Sequence, residues 1–255
     1  AAGLVSVGWR GGRAVNPLGR ERLRSAIRVG VQFVKQSRRL QGVLVRISLF
    51  FLHSTALLAL LPLVARGLQG GGAGTFTLLL AAMGAGAILA ALSMQRIRQF
   101  ISHERLLLAG AMLQAAGTLA VAWAPSVYLA VPAMFFAGIA WISVANSLTV
   151  AAQMALPDWV RARGMSIYQM AIMGSTAAGA ALWGQVATLT TIHVSLGTAA
   201  FTGVLAMFLA QRLMPAHNME EDLTPSRVFK VPVAHEPHGT GRIQVTHRHD
   251  DRTYA

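Results

Sequence analysis

The chain has 255 residues, no cysteine, and 22 lysines and arginines against 9 acidic residues; 54% of it is hydrophobic and only 12% is charged. This composition excludes a disordered protein and a disulfide-stapled secreted domain. It also excludes a soluble globule, because each helix of such a globule needs a polar face toward water. Four windows contain no Asp, Glu, Lys or Arg, namely 47–65, 67–95, 106–157 and 164–211.

The charge-free windows predict membrane helices, since crossing the hydrocarbon core takes about 20 apolar residues. The third window is broken at Pro125 and the fourth weakens around 188–195, so each holds two helices. The apolar runs are continuous rather than alternating, which favours helices. We therefore predict an all-α membrane protein with six transmembrane helices, at about 44–65, 75–95, 106–123, 127–155, 165–187 and 194–213.

Basic residues predict the orientation of these helices. Ten lysines and arginines, from Arg10 to Arg46, and one acid lie before the first helix or at its start, and the third and fifth connections contain no lysine or arginine. The positive-inside rule then places both termini in the cytoplasm, as expected for a multi-pass protein of the bacterial inner membrane. The net charge of +13 thus reflects topology and attraction to membrane lipids. Nucleic acid is not an expected partner, because 10–46 offers few stacking aromatic residues.

The same pattern divides the chain into three parts. Residues 1–43 are predicted to hold the end of a preceding helix and a basic cytoplasmic linker, 44–213 the bundle, and 214–255 a largely irregular cytoplasmic tail. The apolar start, which ends at Trp9 and Arg10, favours a fragment of a larger protein over a short leader.

Between 21 and 34, apolar residues recur at helical spacing with arginines between them. This pattern is typical of a basic amphipathic helix on the membrane surface. A solvated linker helix that only connects two parts of the chain explains it equally well.

Small residues inside the predicted helices lie at packing intervals, with Gly84 in the second helix and Gly174, Gly179 and Gly184 in the fifth. Such spacing lets helix backbones approach closely. The sequence leaves open whether these faces hold a static bundle or let two bundles rock against each other.

Few polar side chains lie within the spans, and His53 and Asn146 are near the middles of the first and fourth. Polar groups in a membrane either contact a ligand or bond between helices, and the second role is the commoner one. No carboxylate lies within the spans, which counts against a carboxylate proton relay in this part of the chain.

Enzyme signatures are absent, since the chain has no HExxH, no GxSxG and no Walker loop. We expect neither catalytic activity, nor a cofactor, nor a metal site. The histidines at 247–249 are interpreted as part of a solvated tail, because a metal site needs three or four convergent ligands.

The connection between the fourth and fifth helices is the most specific feature. It reads PDWVRARG, in which Pro157 stops a helix and Trp159 suits the membrane interface. Together with Asp158, the basic residues Arg161 and Arg163 are expected to set topology and to hold a cytoplasmic gate.

With its surroundings, this connection resembles the major facilitator superfamily. The similar stretches run from AWIS at 140–143 through PDWVRARGMSIYQM to GAALWG at 179–184, and include ERLRSAIRVGVQFV at 21–34. Within the superfamily, the resemblance is to the branch of bacterial efflux proteins that contains the enterobactin exporter. The basic loop at 95–105 departs from the usual Gly-x-x-x-Asp-Arg-x-Gly-Arg form.

The resemblance implies twelve helices in two six-helix halves around a central cavity, and this chain looks like the C-terminal half. The first helix of each three-helix repeat would line the cavity, which makes His53, Thr55, Trp141 and Asn146 candidate substrate contacts. The implied function is proton-coupled export of a small amphipathic molecule, such as a siderophore or a drug, by alternating access. The missing N-terminal half would be its partner. The alternative is a six-helix membrane scaffold or assembly protein without transport activity.

Overall fold

The computed structural model describes residues 23–68 and 73–214, and these residues fold almost entirely into helices. In chain order the helices are α1 Leu23–Gln36, α2 Arg38–Gly67, α3 Ala73–Phe100, α4 His103–Ala122, α5 Val127–Met154, α6 Asp158–Leu189 and α7 Ile192–Leu213. The predicted preceding helix and the predicted cytoplasmic tail lie outside the described residues.

Five of these helices are long and apolar enough to cross a membrane, namely α2, α3 over Gly74–Met94, α4, α5 and α7. In the part of the chain that the structure describes, the predicted all-helical fold is therefore confirmed, with helices apolar enough to cross a membrane. Helix α6 has 32 residues, or about 48 Å, which is ample length for a span. Its composition is less apolar, because glutamines, serines and glycines interrupt the hydrophobic residues between Gln169 and Gln185. The predicted span at 165–187 thus stays a prediction.

Helix α2 begins at Arg38, well before the predicted boundary at 44, because local hydrogen bonds start it there. The Ser37 side chain accepts from the Leu40 amide at 3.3 Å and so caps the new helix. The Gln41 side chain donates to the Val34 and Lys35 carbonyls, each at 2.9 Å, which end α1. Helices α1 and α2 are therefore joined by a tight, fully bonded corner.

The six long helices form two interlocked sets of three, α2–α3–α4 and α5–α6–α7. The second helix of each set packs on the first helix of the other set, since α3 lies on α5 and α6 lies on α2. The third helices do the same, since α4 packs on α5 and α7 packs on α2. This reciprocal pattern is that of an internal repeat, in which the two sets complete each other's core.

Glycines allow the closest of these contacts. A Cβ atom at Gly86 of α3 would fall on the Phe135 carbonyl of α5, and a Cβ at Gly138 of α5 would fall on the Met83 carbonyl of α3. In the other set, a Cβ at Gly179 of α6 would meet the Leu52 carbonyl of α2. The backbones can approach only because these side chains are missing.

Helix α1 packs against the beginning of α6. Gly30 lies beside Ile167, and the Phe33 ring meets the Trp159 ring edge-on at 6.0 Å between centroids. Below them, Leu40 and Val160 belong to a small buried apolar cluster. The amphipathic segment is thus a helix seated on the bundle, and its role at the lipid surface stays a prediction.

Candidate functional site

His53 lies on the face of α2 that meets α6 and α7. Its ring is 5.7 Å from the Trp183 ring of α6, and its Cβ lies 3.0 Å from where a Cβ of Gly203 in α7 would stand. Its Nδ1 is 2.7 Å from the Leu49 carbonyl. A carbonyl only accepts, so Nδ1 carries the proton and Nε2 is left as the acceptor of the ring.

A small cavity opens beside His53, between α2, α4 and α7. Its polar lining is formed by His53, Ser54, Gln114 and Thr118. Phe50 and small residues of α4 and α7 complete the wall. Ser54 and Gln114 are only 3% and 4% exposed, so polar groups lie deep within an otherwise apolar bundle.

The other three predicted cavity residues face elsewhere. Thr55 is buried and its hydroxyl donates to the Phe51 carbonyl of its own helix at 2.6 Å. Trp141 of α5 packs edge-on against the Phe51 ring at 5.2 Å, and Asn146 is half-buried farther along α5. Within this chain, His53 and Thr55 do not share a face, because two residues along a helix are about 200° apart around its axis. The substrate-contact role of all four residues stays a prediction.

Trp183, in the LWG part of the quoted motif, holds three helices together. Its Nε1 donates to the Leu52 carbonyl of α2 at 2.9 Å, and its own carbonyl accepts from the Ser195 hydroxyl of α7 at 2.7 Å. In the sequence, this tryptophan stands out only as part of the motif that carries the family resemblance. Because an indole N–H inside an apolar helix needs a hydrogen-bond acceptor, its presence could have predicted a bond to a neighbouring helix.

In the α5–α6 connection, Pro157 stands just before α6, where its missing N–H does no harm. Asp158 lies in the first turn and pairs with Arg161 at 2.7 Å, although both side chains are largely exposed. Arg161 also reaches the Leu156 carbonyl at 3.5 Å, and Gly164 leaves room for the Leu156 side chain. Pro157, Asp158 and Arg161 therefore form a compact turn at the start of α6, and the role of this connection in a gate stays a prediction.

An ion pair that the sequence does not predict lies at the same end of the molecule, between a buried arginine and a partly exposed glutamate. The Arg46 side chain is 2% exposed and lies 3.4 Å from the Glu104 carboxylate at the start of α4. It also donates to the Met214 carbonyl at the end of α7, while Gln211 donates to the Glu104 carbonyl at 2.9 Å. The sequence predicts for Arg46 only the role of a basic residue that sets the orientation of the first helix. The signal was Glu104 itself, one of only two acids between 22 and 219.

Of the four glycines predicted to pack helices, only Gly179 meets another helix within this chain. Cβ atoms at Gly84, Gly174 and Gly184 would have no atom within 4 Å among the described residues. These three glycines lie on outer faces of α3 and α6. The spacing of small residues thus predicts faces suited to helix packing, but it does not predict which of these faces contact another helix of this chain.

Comparison with known families settles the class of the molecule. The model of the transmembrane secretion effectors, a family of the major facilitator superfamily, matches residues 4–248. The chain belongs to this family. No curated protein matches the chain.

Membership in this family identifies a multi-pass membrane protein of the transporter type, in agreement with its apolar helices. Proteins of this superfamily are generally transporters rather than enzymes, which agrees with the expectation of no catalytic activity. The resemblance drawn from PDWVRARG and GAALWG is thereby confirmed at the level of the superfamily.

Proposed function

We propose that the chain is one six-helix half of a secondary transporter, which exports a small amphipathic molecule by alternating access. The observation that carries this proposal is the pair of interlocked three-helix sets in a chain of the secretion-effector family. Two such sets make a rigid bundle, and alternating access needs two rigid bundles that rock about a shared site.

The sixth span of the proposed topology is α6. It packs along α2 just as α3, a span by composition, packs along α5. Its small residues allow the close contact with α2, and its glutamines are exposed at the outer face of this chain. Six spans place both ends of the bundle on one side, and the arginines at the α3–α4 and α5–α6 connections make that side cytoplasmic.

The outer faces of α3 and α6 support a second half as partner. Gly84, Gly174 and Gly184 present open backbone there, together with the polar side chain of Gln169. Small residues bring membrane helices together, so a second six-helix bundle is the occupant that best uses these faces. The N-terminal half would fill this place.

The substrate proposed is small and amphipathic, such as a siderophore or a drug. Trp141 and Asn146 on α5 offer an aromatic surface and a neutral amide, which suit a ligand with both apolar and polar parts. The spans hold no carboxylate, so the coupling proton of an antiport cycle would be handled by His53 or by the second half. Membrane lipids contact the remaining faces.

Efflux of fluorescent amphipathic compounds and of siderophores from bacterial cells tests this function. We expect substrate-saturable efflux when the chain is expressed with an N-terminal six-helix half, its collapse by a protonophore, and none from the chain alone. Saturable efflux by the chain alone, with crosslinking that finds no dimer, would contradict the half-transporter proposal.

A further inference from the structure

The cavity between α2, α4 and α7 contains polar atoms that the protein itself leaves without partners. Ser54 Oγ and both Nε2 and Oε1 of Gln114 are buried and make no hydrogen bond among the described residues. Both side chains line the same cavity. A buried amide and a buried hydroxyl are costly in a membrane unless something bonds to them, because the hydrocarbon offers no hydrogen bonds.

The other polar side chains of the cavity do not donate to Gln114 or Ser54. The Thr118 hydroxyl donates to the Gln114 backbone carbonyl at 2.8 Å, so its proton is already used. The proton on His53 Nδ1 goes to the Leu49 carbonyl, which leaves only an acceptor on that ring. A guest that both donates and accepts hydrogen bonds would satisfy Gln114 and Ser54.

The size of the cavity limits what that guest is. The volume open to the centre of a water molecule is only about 20 Å³, and the cavity is partly open to the surroundings of the chain. A single water needs about 10–15 Å³ by this measure, and two to four polar partners. The described lining holds no charged residue, so an ion is not suited to the site.

We propose that this cavity is an internal hydration site, in which one or two water molecules bond to the Gln114 amide and the Ser54 hydroxyl. The water joins α2 to α4 beneath α7, in the middle of the bundle. At the cytoplasmic end the same three helices meet through Arg46, Glu104 and Met214. Polar contacts thus link α2, α4 and α7 at two levels, in the middle of the bundle and at its cytoplasmic end. This role does not depend on the identity of the transported molecule.

The direct test is solid-state NMR of the full chain in lipid bilayers with ¹⁵N-labelled glutamine. We expect magnetisation to pass from water to the Gln114 side-chain amide, on the time scale seen for the exposed Gln153 amide. The signal is assigned by its loss in Gln114→Leu, and the matched control Gln169→Leu removes a different, exposed glutamine signal. Absence of transfer to Gln114 would overturn the proposal.

A second variant keeps the test decisive if Gln114→Leu does not fold. Ala115→Val narrows the cavity from its half-buried edge and leaves both polar side chains in place. We expect water transfer to Gln114 to fall at least severalfold while helicity is unchanged. Transfer that persists undiminished in both Ala115→Val and Ser54→Ala would show that water reaches Gln114 by another route, and would refute the bridging site.

Discussion

At the scale of single residues, the buried Arg46 is the side chain whose removal should cost most. It is 2% exposed, and it bonds to Glu104 and to the Met214 carbonyl. Arg46→Ala removes both bonds, leaves the Met214 carbonyl without this donor and opens a cavity, so we expect a loss of about 2–4 kcal/mol in the free energy of unfolding. Thermal unfolding of the purified chain in nanodiscs measures it.

Two matched variants define what this loss means. Arg66→Ala, at the exposed end of the same helix, should change stability by no more than about 0.5 kcal/mol. Glu104→Gln keeps an acceptor for Arg46 and should fall between the two. Equal unfolding temperatures for Arg46→Ala and Arg66→Ala would show that the bonds of Arg46 to Glu104 and Met214 do not hold α2, α4 and α7 together.

Residue roles were harder to predict than residue positions. The sequence places His53 in the middle of an apolar helix and Trp183 within a family motif, but it does not indicate the neighbours of either. Trp183 binds the Leu52 carbonyl, 131 residues away along the chain, and no local pattern encodes such a contact. Arg46 was misjudged because a charge at a helix end is normally solvated, and its burial depends on the ends of two other helices.

At the scale of elements, two glycines of α6 give a sharp comparison. Gly179→Ala places a methyl group on the Leu52 carbonyl and should push α6 away from α2. Gly184→Ala points into open space and should stabilise α6 by up to about 1 kcal/mol through better helix propensity. The unfolding temperature should therefore fall for the first variant and hold or rise for the second. A fall of equal size in both would contradict the α2–α6 packing.

The start of α6 should matter for transport rather than for stability. The Asp158–Arg161 pair is exposed and is worth about 0.5 kcal/mol or less. Arg161→Ala with Arg163→Ala, in a protein completed by the second half, should lower efflux per molecule severalfold with little change in expression. Arg38→Ala with Arg39→Ala removes two exposed arginines from α2 as a control. If both pairs lower efflux alike, the α6 arginines have no special role in a gate.

The sequence predicted the six long helices, but it predicted only some of the positions at which they begin and end. Apolar windows located six long helices because the membrane leaves the backbone no other way to satisfy its hydrogen bonds. Helix α2 begins six residues before the predicted boundary at 44, because hydrogen bonds from the Ser37 and Gln41 side chains define a helix start that lies outside the apolar window. Equally, the windows could not show that α3 pairs with α5 and α6 with α2, because helix pairing depends on which glycines face which carbonyls.

At the scale of the whole molecule, the account rests on six spans with the connections on alternating sides. The chain contains no cysteine, so single cysteines can report each connection against a clean background. Ser126 precedes α5, Thr191 precedes α7, and Ser102 precedes α4. Thr191 decides whether α6 crosses the membrane, because α6 is the helix that composition leaves open.

Labelling of these cysteines in intact cells with a membrane-impermeant thiol reagent is therefore the most direct measurement. The account predicts that cysteines replacing Ser126 and Thr191 react from outside, whereas one replacing Ser102 reacts only after the cells are permeabilised. A cysteine at Ser102 that reacts in intact cells, or one at Thr191 that reacts only after permeabilisation, would contradict the six-span half-transporter.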